Sequence, residues 1–140
     1  MDNKQKSILV AVNDLFFYTK IRDALRLSGH SLERARVQED VSRKAGDQPA
    51  AFVVNMNDEN LDAFKAIEAL KSDDRSKSIP ILAFANHDEV ETWKRAKVLG
   101  VTKIVSRNEF SSRTKDLIDE VIGTRPSHMT EPTGASRQQP

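Results

Sequence analysis

The chain contains no cysteine, which excludes disulfides, thiol nucleophiles and thiolate metal sites and leaves the redox compartment undetermined. Long hydrophobic runs are absent as well. The first apolar stretch, Ile8 to Val12, is too brief for a signal-peptide core and far too short to cross a bilayer, so a cytoplasmic location is expected. Charge of one sign is also missing. With 22 basic and 21 acidic residues the formal charge is +1, and the two signs alternate along helical segments. No broad field then draws polyanions, and neither nucleic acid nor membrane is an expected partner. Glycine is scarce, and the turn after the first apolar run, Asn13-Asp14-Leu15-Phe16, has none, which speaks against a phosphate-cradling loop. The three histidines, His30, His87 and His128, are dispersed without partners close in sequence and do not read as metal ligands or catalytic bases.

What is present suits one soluble domain: 140 residues, 38% apolar and 31% charged. The stretch Ala51-Phe52-Val53-Val54 has the length and β-branched content of a strand buried on both faces, and it stops at Asn55. Ile8 to Val12 is a similar strand, and Asn13 or Asp14 can cap a helix carrying Phe17, Ile21, Ala24, Leu25 and Ser28 on one face, stopped by Gly29. Residues 31–37 are a weaker strand of edge character, followed by a short helix from Glu39 to Ala45. A third helix places Leu61, Phe64, Ile67 and Leu70 at helical spacing. Ile79 to Ala85 is the fourth strand, with Pro80 at its start. Asn86-His87-Asp88 then offers a cap for a helix with Val90, Trp93, Ala96 and Leu99 on one face, ended by Gly100. Lys103 to Ser106 is the fifth strand, and a last helix is predicted from about Ser112 to Ile122.

Strand and helix thus alternate five times with connections too long for hairpins, which requires parallel strands with helices on both faces. The expected fold is a doubly wound, five-stranded parallel α/β sheet of order 2-1-3-4-5, flavodoxin-like, spanning residues 1–123. Residues 124–140 contain three prolines, no periodicity and little apolar mass, and are predicted to be a disordered tail.

Over residues 6–123 this element order resembles the receiver (CheY-like) domains of bacterial response regulators. That resemblance implies a site at the carboxyl ends of the strands: an acid pair after the first strand, a phosphoacceptor aspartate ending the third, a hydroxyl ending the fourth and a lysine ending the fifth. Here those positions hold Val12 and Asn13, Asn55, Ala85 and Arg107, while Asp62-Ala63 stands where receivers carry Asp-Gly. Ile104 replaces the aromatic that rotates during switching. Phosphoryl transfer to a carboxylate needs an anionic nucleophile, carboxylates for Mg²⁺ and groups that stabilise the developing charge. With nucleophile, acids and hydroxyl all replaced, the resemblance is to a degenerate pseudo-receiver with no enzymatic activity, no metal and no cofactor.

Asp14 and Asp58 lie near the strand ends and could restore a metal pair in a shifted register, but Asp14 as a helix cap and Asp58 in a solvated loop is the better reading. Trp93 and Phe110 could anchor an interface, and for Trp93 core packing is favoured. Lys94, Arg95, Lys97, Lys103 and Ile104 mark the candidate partner surface on the fourth-helix and fifth-strand side. The expected function is that of a stand-alone signalling adaptor that binds a protein partner without phosphorylation, a second copy of the chain being a further candidate. Residues 124–140 are too few and too polar for an output domain, so output is expected to pass through association. The alternative is a small-ligand or nucleotide binder using the crevice at the carboxyl ends of the strands. Removing residues 124–140 is expected to leave the thermal midpoint within about 4 °C of the full chain, equivalent to ~1 kcal/mol for a domain of this size, as measured by calorimetry.

Overall fold

The structure, a computed structural model, describes residues 7–123; the predicted tail, 124–140, lies outside the described residues. Five parallel strands form one sheet in the order β2-β1-β3-β4-β5, as the alternation of elements predicts. They are β1 (Ser7–Ala11), β2 (Ser31–Arg34), β3 (Ala51–Asn55), β4 (Ile81–Ala85) and β5 (Lys103–Ser106). The helices are α1 (Leu15–Ser28), α2 (Gln38–Ala45), α3 (Ala63–Ser72), α4 (Val90–Leu99), α5 (Arg107–Ser112) and α6 (Thr114–Gly123).

Every residue of β3 and β4 is buried, because crossover connections put helices over both faces of the central strands. Two apolar layers result. One gathers Leu9, Phe52, Val54, Ile67 and Leu70 with Ile104, and the other gathers Val10, Val53, Phe84 and Val105 with Phe17, Phe110, Leu117 and Ile118. The second layer centres on three rings. Phe84 stacks on Phe110 at 4.3 Å between centroids, and Phe17 lies 4.8 Å from Phe84. Phe110 is therefore a core residue and not an interface anchor.

Local chemistry sets the ends of the elements. Asp14 caps α1, accepting hydrogen bonds from the Phe16 and Phe17 N–H groups at 2.9 and 3.3 Å. Gly29 and Gly100 terminate α1 and α4 at φ 79° and 94°, where a side chain would strain the backbone.

The structure corrects several sequence expectations. The last helix, expected from about Ser112 to Ile122, is α6, but a separate short helix not foreseen from the sequence precedes it, because the Ser106 hydroxyl accepts from the Glu109 N–H at 3.0 Å and starts α5 directly off β5. Strand β2 ends at Arg34 and β4 begins at Ile81, after Pro80. Leu61 is buried in the loop before α3, whose cap is Asp62. The cap position of α4 is Glu89, without a side-chain cap bond, and Val90 is 57% exposed because α4 buries only Ala96 fully and Trp93 and Leu99 partly.

Phe110→Ala removes a ring packed against Phe84 and Phe17 and is expected to destabilise the domain by about 3–5 kcal/mol, read from the shift in denaturant midpoint.

Candidate functional site

Burial on both faces forces the first polar groups of the central strands to emerge together at the carboxyl edge of the sheet. A crevice of about 540 Å³ opens there, lined by Asn13, Asn55, Asn57, Asp58, Asn86 and Arg107 among others. Of the five degenerate site positions, the structure brings Asn13, Asn55 and Arg107 to this crevice. Val12 and Ala85 are fully buried, Val12 in the layer beneath α1 and Ala85 in the opposite layer, and they offer the crevice no polar group.

Asn55 ends β3 and is 4% exposed. Its side-chain oxygen accepts the Asn57 N–H at 2.9 Å, and its backbone carbonyl accepts the Asp58 N–H at 3.1 Å. The loop is thereby folded back over the strand. This brings Asp58 to Asn13: one carboxylate oxygen accepts the Asn13 backbone N–H at 2.9 Å, and the Asn13 amide donates to both oxygens at 3.2 Å. Asn60 adds its N–H at 2.8 Å. Asp58 is thus no solvated loop residue but the clasp between the β1–α1 and β3–α3 loops. Sequence reading missed it because the partners are 45 positions apart.

A second set of bonds crosses to α4. The Asn57 amide donates to Glu89 Oε1 at 2.6 Å, the Asn86 N–H donates to Asn57 Oδ1 at 3.2 Å, and Trp93 Nε1 donates to the Asn86 carbonyl at 2.9 Å. Trp93 is therefore held from two sides, by the core and by the crevice loop. The only advance signal was the density of amides in Asn55-Met56-Asn57-Asp58-Glu59-Asn60.

Arg107, the first residue of α5, carries its guanidinium 4.6 Å above the Phe17 ring and 3.7 Å from Asp14. Stacking and pairing hold it at the wall of the crevice. The donor set does not suit Mg²⁺. An octahedral oxygen site wants carboxylates, whereas Asn13 and Asn55 are amides and Asp58 is engaged by three donors. Asp14 faces Arg107, and among the described residues no three acidic, histidine or cysteine side chains cluster as metal ligands.

On the candidate partner surface most charges are paired. Lys94 lies 3.8 Å from Glu91, Arg95 lies over the Phe64 ring and 3.7 Å from Glu68, and Lys103 contacts Glu120 at 2.9 Å. The Lys103 hydrogen bond holds the Glu120 carboxyl below its ordinary range. Ile104 is buried in the layer under α4, so it supports this surface without forming it. Lys97 is exposed and has no ion pair among the described residues.

Comparison with known proteins identifies the fold. No family model matches the sequence. The response regulator PleD of Caulobacter vibrioides is 32% identical over 78 residues, which covers 53% of this chain and 17% of that protein. The receiver domain of a Pseudomonas aeruginosa sensor histidine kinase, solved with magnesium in its cleft, is 16% identical with a TM-score of 0.74, covering 86% of this chain and all of that one. The chemotaxis response regulator CheY4 of Vibrio cholerae gives 0.73 at 16% identity, over 84% and 99% of the two chains. The phosphorylated cyanobacterial regulator RcpA gives 0.71 at 16% identity, over 93% and 100%. The fold is that of a response-regulator receiver (CheY-like) domain. Among the described residues, no helix is long and apolar enough to cross a membrane.

Asp58→Ala strands the N–H groups of Asn13 and Asn60 and is expected to lower stability by about 1–3 kcal/mol, with Asp58→Asn losing less because one acceptor oxygen survives. Denaturant melts of both variants check the order.

Proposed function

We propose that this receiver-type domain works in two-component signalling as a phosphorylation-independent adaptor, a pseudo-receiver whose output is association with a protein partner. The observation that carries the reading is the amide at the end of β3. Asn55 has neither charge nor useful nucleophilicity, and its oxygen is already committed to the Asn57 N–H. Around it, Asn13 and Asp58 satisfy each other, so the loops that a phosphoryl group and metal would have to bridge are bridged by the chain itself. Arg107 stacks on Phe17 and faces Asp14, an arrangement that positions a wall and not an anion clamp.

The surface that fits a partner is the α4 side. Val90 and Val98 are 57% and 85% exposed, and Lys94 and Lys97 stand between them at helical spacing. An apolar pair flanked by lysines suits a partner segment that offers apolar and acidic side chains. The reading includes no enzymatic activity and places the protein in the cytoplasm, the compartment of soluble signalling relays. The relative PleD is matched over 17% of its length, so the activity of that whole protein is not carried over to this chain.

Incubation with acetyl phosphate and Mg²⁺ is expected to leave the intact mass unchanged. A stoichiometric gain of one phosphoryl group, lost in Asp58→Ala, would overturn the proposal.

A further inference from the structure

The hydrogen bonds that tie the crevice loops together leave one buried donor over. Asn55 is 4% exposed and its side-chain oxygen is taken by the Asn57 N–H, but its side-chain nitrogen has no hydrogen-bond partner among the described residues. A buried amide without an acceptor costs stability, so its retention calls for a reason. The side-chain nitrogens fully enclosed without a partner are His30 Nδ1 and Arg34 Nε, beside and within β2. Asn55 Nδ2 is not sealed in that way, and the space it opens to is the crevice that Asn55 lines.

Other groups of the crevice are also unused by the chain. Among the described residues no donor reaches Asn13 Oδ1 or Asn86 Oδ1, and the side chains of Glu59 and Asn60 make no hydrogen bond or ion pair. Most of the charge is answered internally: Asp58 accepts from Asn13 and Asn60, and Arg107 faces Asp14 at 3.7 Å. With Asp14, Asp58 and Glu59 against Arg107 alone, the lining is net acidic, which disfavours a free anion. What remains is a neutral donor on the floor with acceptors and one further amide around it.

We infer that the crevice binds a neutral polyhydroxylated molecule of monosaccharide size, one hydroxyl oxygen of which accepts from Asn55 Nδ2. This goes beyond the adaptor reading and does not depend on it. A hydroxyl donates and accepts at one atom, so neighbouring hydroxyls satisfy Asn55 Nδ2 while donating to Asn13 Oδ1, Asn86 Oδ1 or the Glu59 carboxylate. A ligand with a single amide or carboxylate meets too few of these groups and leaves the others without partners. At about 540 Å³ the space lies within the range of small-molecule sites, about 300–1,000 Å³. A nucleobase suits it less, because no aromatic side chain lines the crevice for a base to stack on and the Arg107 guanidinium is already stacked on Phe17.

The test titrates the isotope-labelled full chain by NMR with D-glucose, D-ribose and myo-inositol at millimolar concentration, and with inorganic phosphate and glycine as charged controls. At least one polyol is expected to shift the Asn55 side-chain amide resonances in a saturable way, and the charged controls are expected to leave them in place. Asn55→Leu, which keeps the size and removes the donor, is expected to weaken binding by about tenfold or more, and Glu59→Gln by about threefold. Because Asn55→Leu also frees the Asn57 N–H, Glu59→Gln is the arm that leaves the loop bonds intact. No saturable shift of the Asn55 amide with any of the three polyols would overturn the proposal, as would undiminished binding in either folded variant. Tighter binding of phosphate or glycine than of every polyol would overturn it too, by assigning the crevice to a charged ligand. All of these outcomes are independent of the acetyl phosphate assay, so the ligand site can fail while the adaptor reading stands.

Discussion

The burial of β3 on both faces is the constraint from which the rest follows. A strand with no solvent side cannot present a polar group along its length, so the chain's first available polar atoms appear where β3 ends, at Asn55. The loop beyond it hangs from that residue: the Asn57 N–H binds its side chain, the Asp58 N–H binds its carbonyl, and the Met56 N–H binds the Phe84 carbonyl of the neighbouring strand. The same burial requires helices on both sides, and the Phe17, Phe84 and Phe110 cluster is how one of those layers is filled.

Amides in place of acids change what this edge can do. Three carboxylates gathered at one point repel one another until a cation arrives, whereas amides donate and accept and can satisfy each other within the chain. Here they do so in two directions, through Asn13 and Asp58 toward α1 and through Asn57, Glu89 and Asn86 toward α4. The sole tryptophan ends the second path, so the crevice and the α4 surface share one hydrogen-bonded frame. A surface preorganised by such a frame loses less freedom on binding.

Much of the fold was legible in the order of residues. Short β-branched runs alternating with helical patterns led to the strand order, and the punctuation by Asp14, Gly29 and Gly100 was read at the right places. The misreadings share one cause. Helix starts at Ser106 and Glu89, and the burial of Leu61 against the exposure of Val90, depend on which neighbour lies overhead, and local periodicity carries no information about that.

By itself the sequence determined that the strands are parallel and that the site positions at their ends hold Val12, Asn13, Asn55, Ala85 and Arg107, since side-chain period and chain connectivity are local properties. It could not decide what those side chains do. Only the folded chain turns Val12 and Ala85 into core, brings Asp58 across 45 positions to Asn13, stacks Arg107 on Phe17 and pairs Lys103 with Glu120. Hydrogen bonds and ion pairs act over a few ångströms, and distances of that size between remote residues exist only once the sheet has closed.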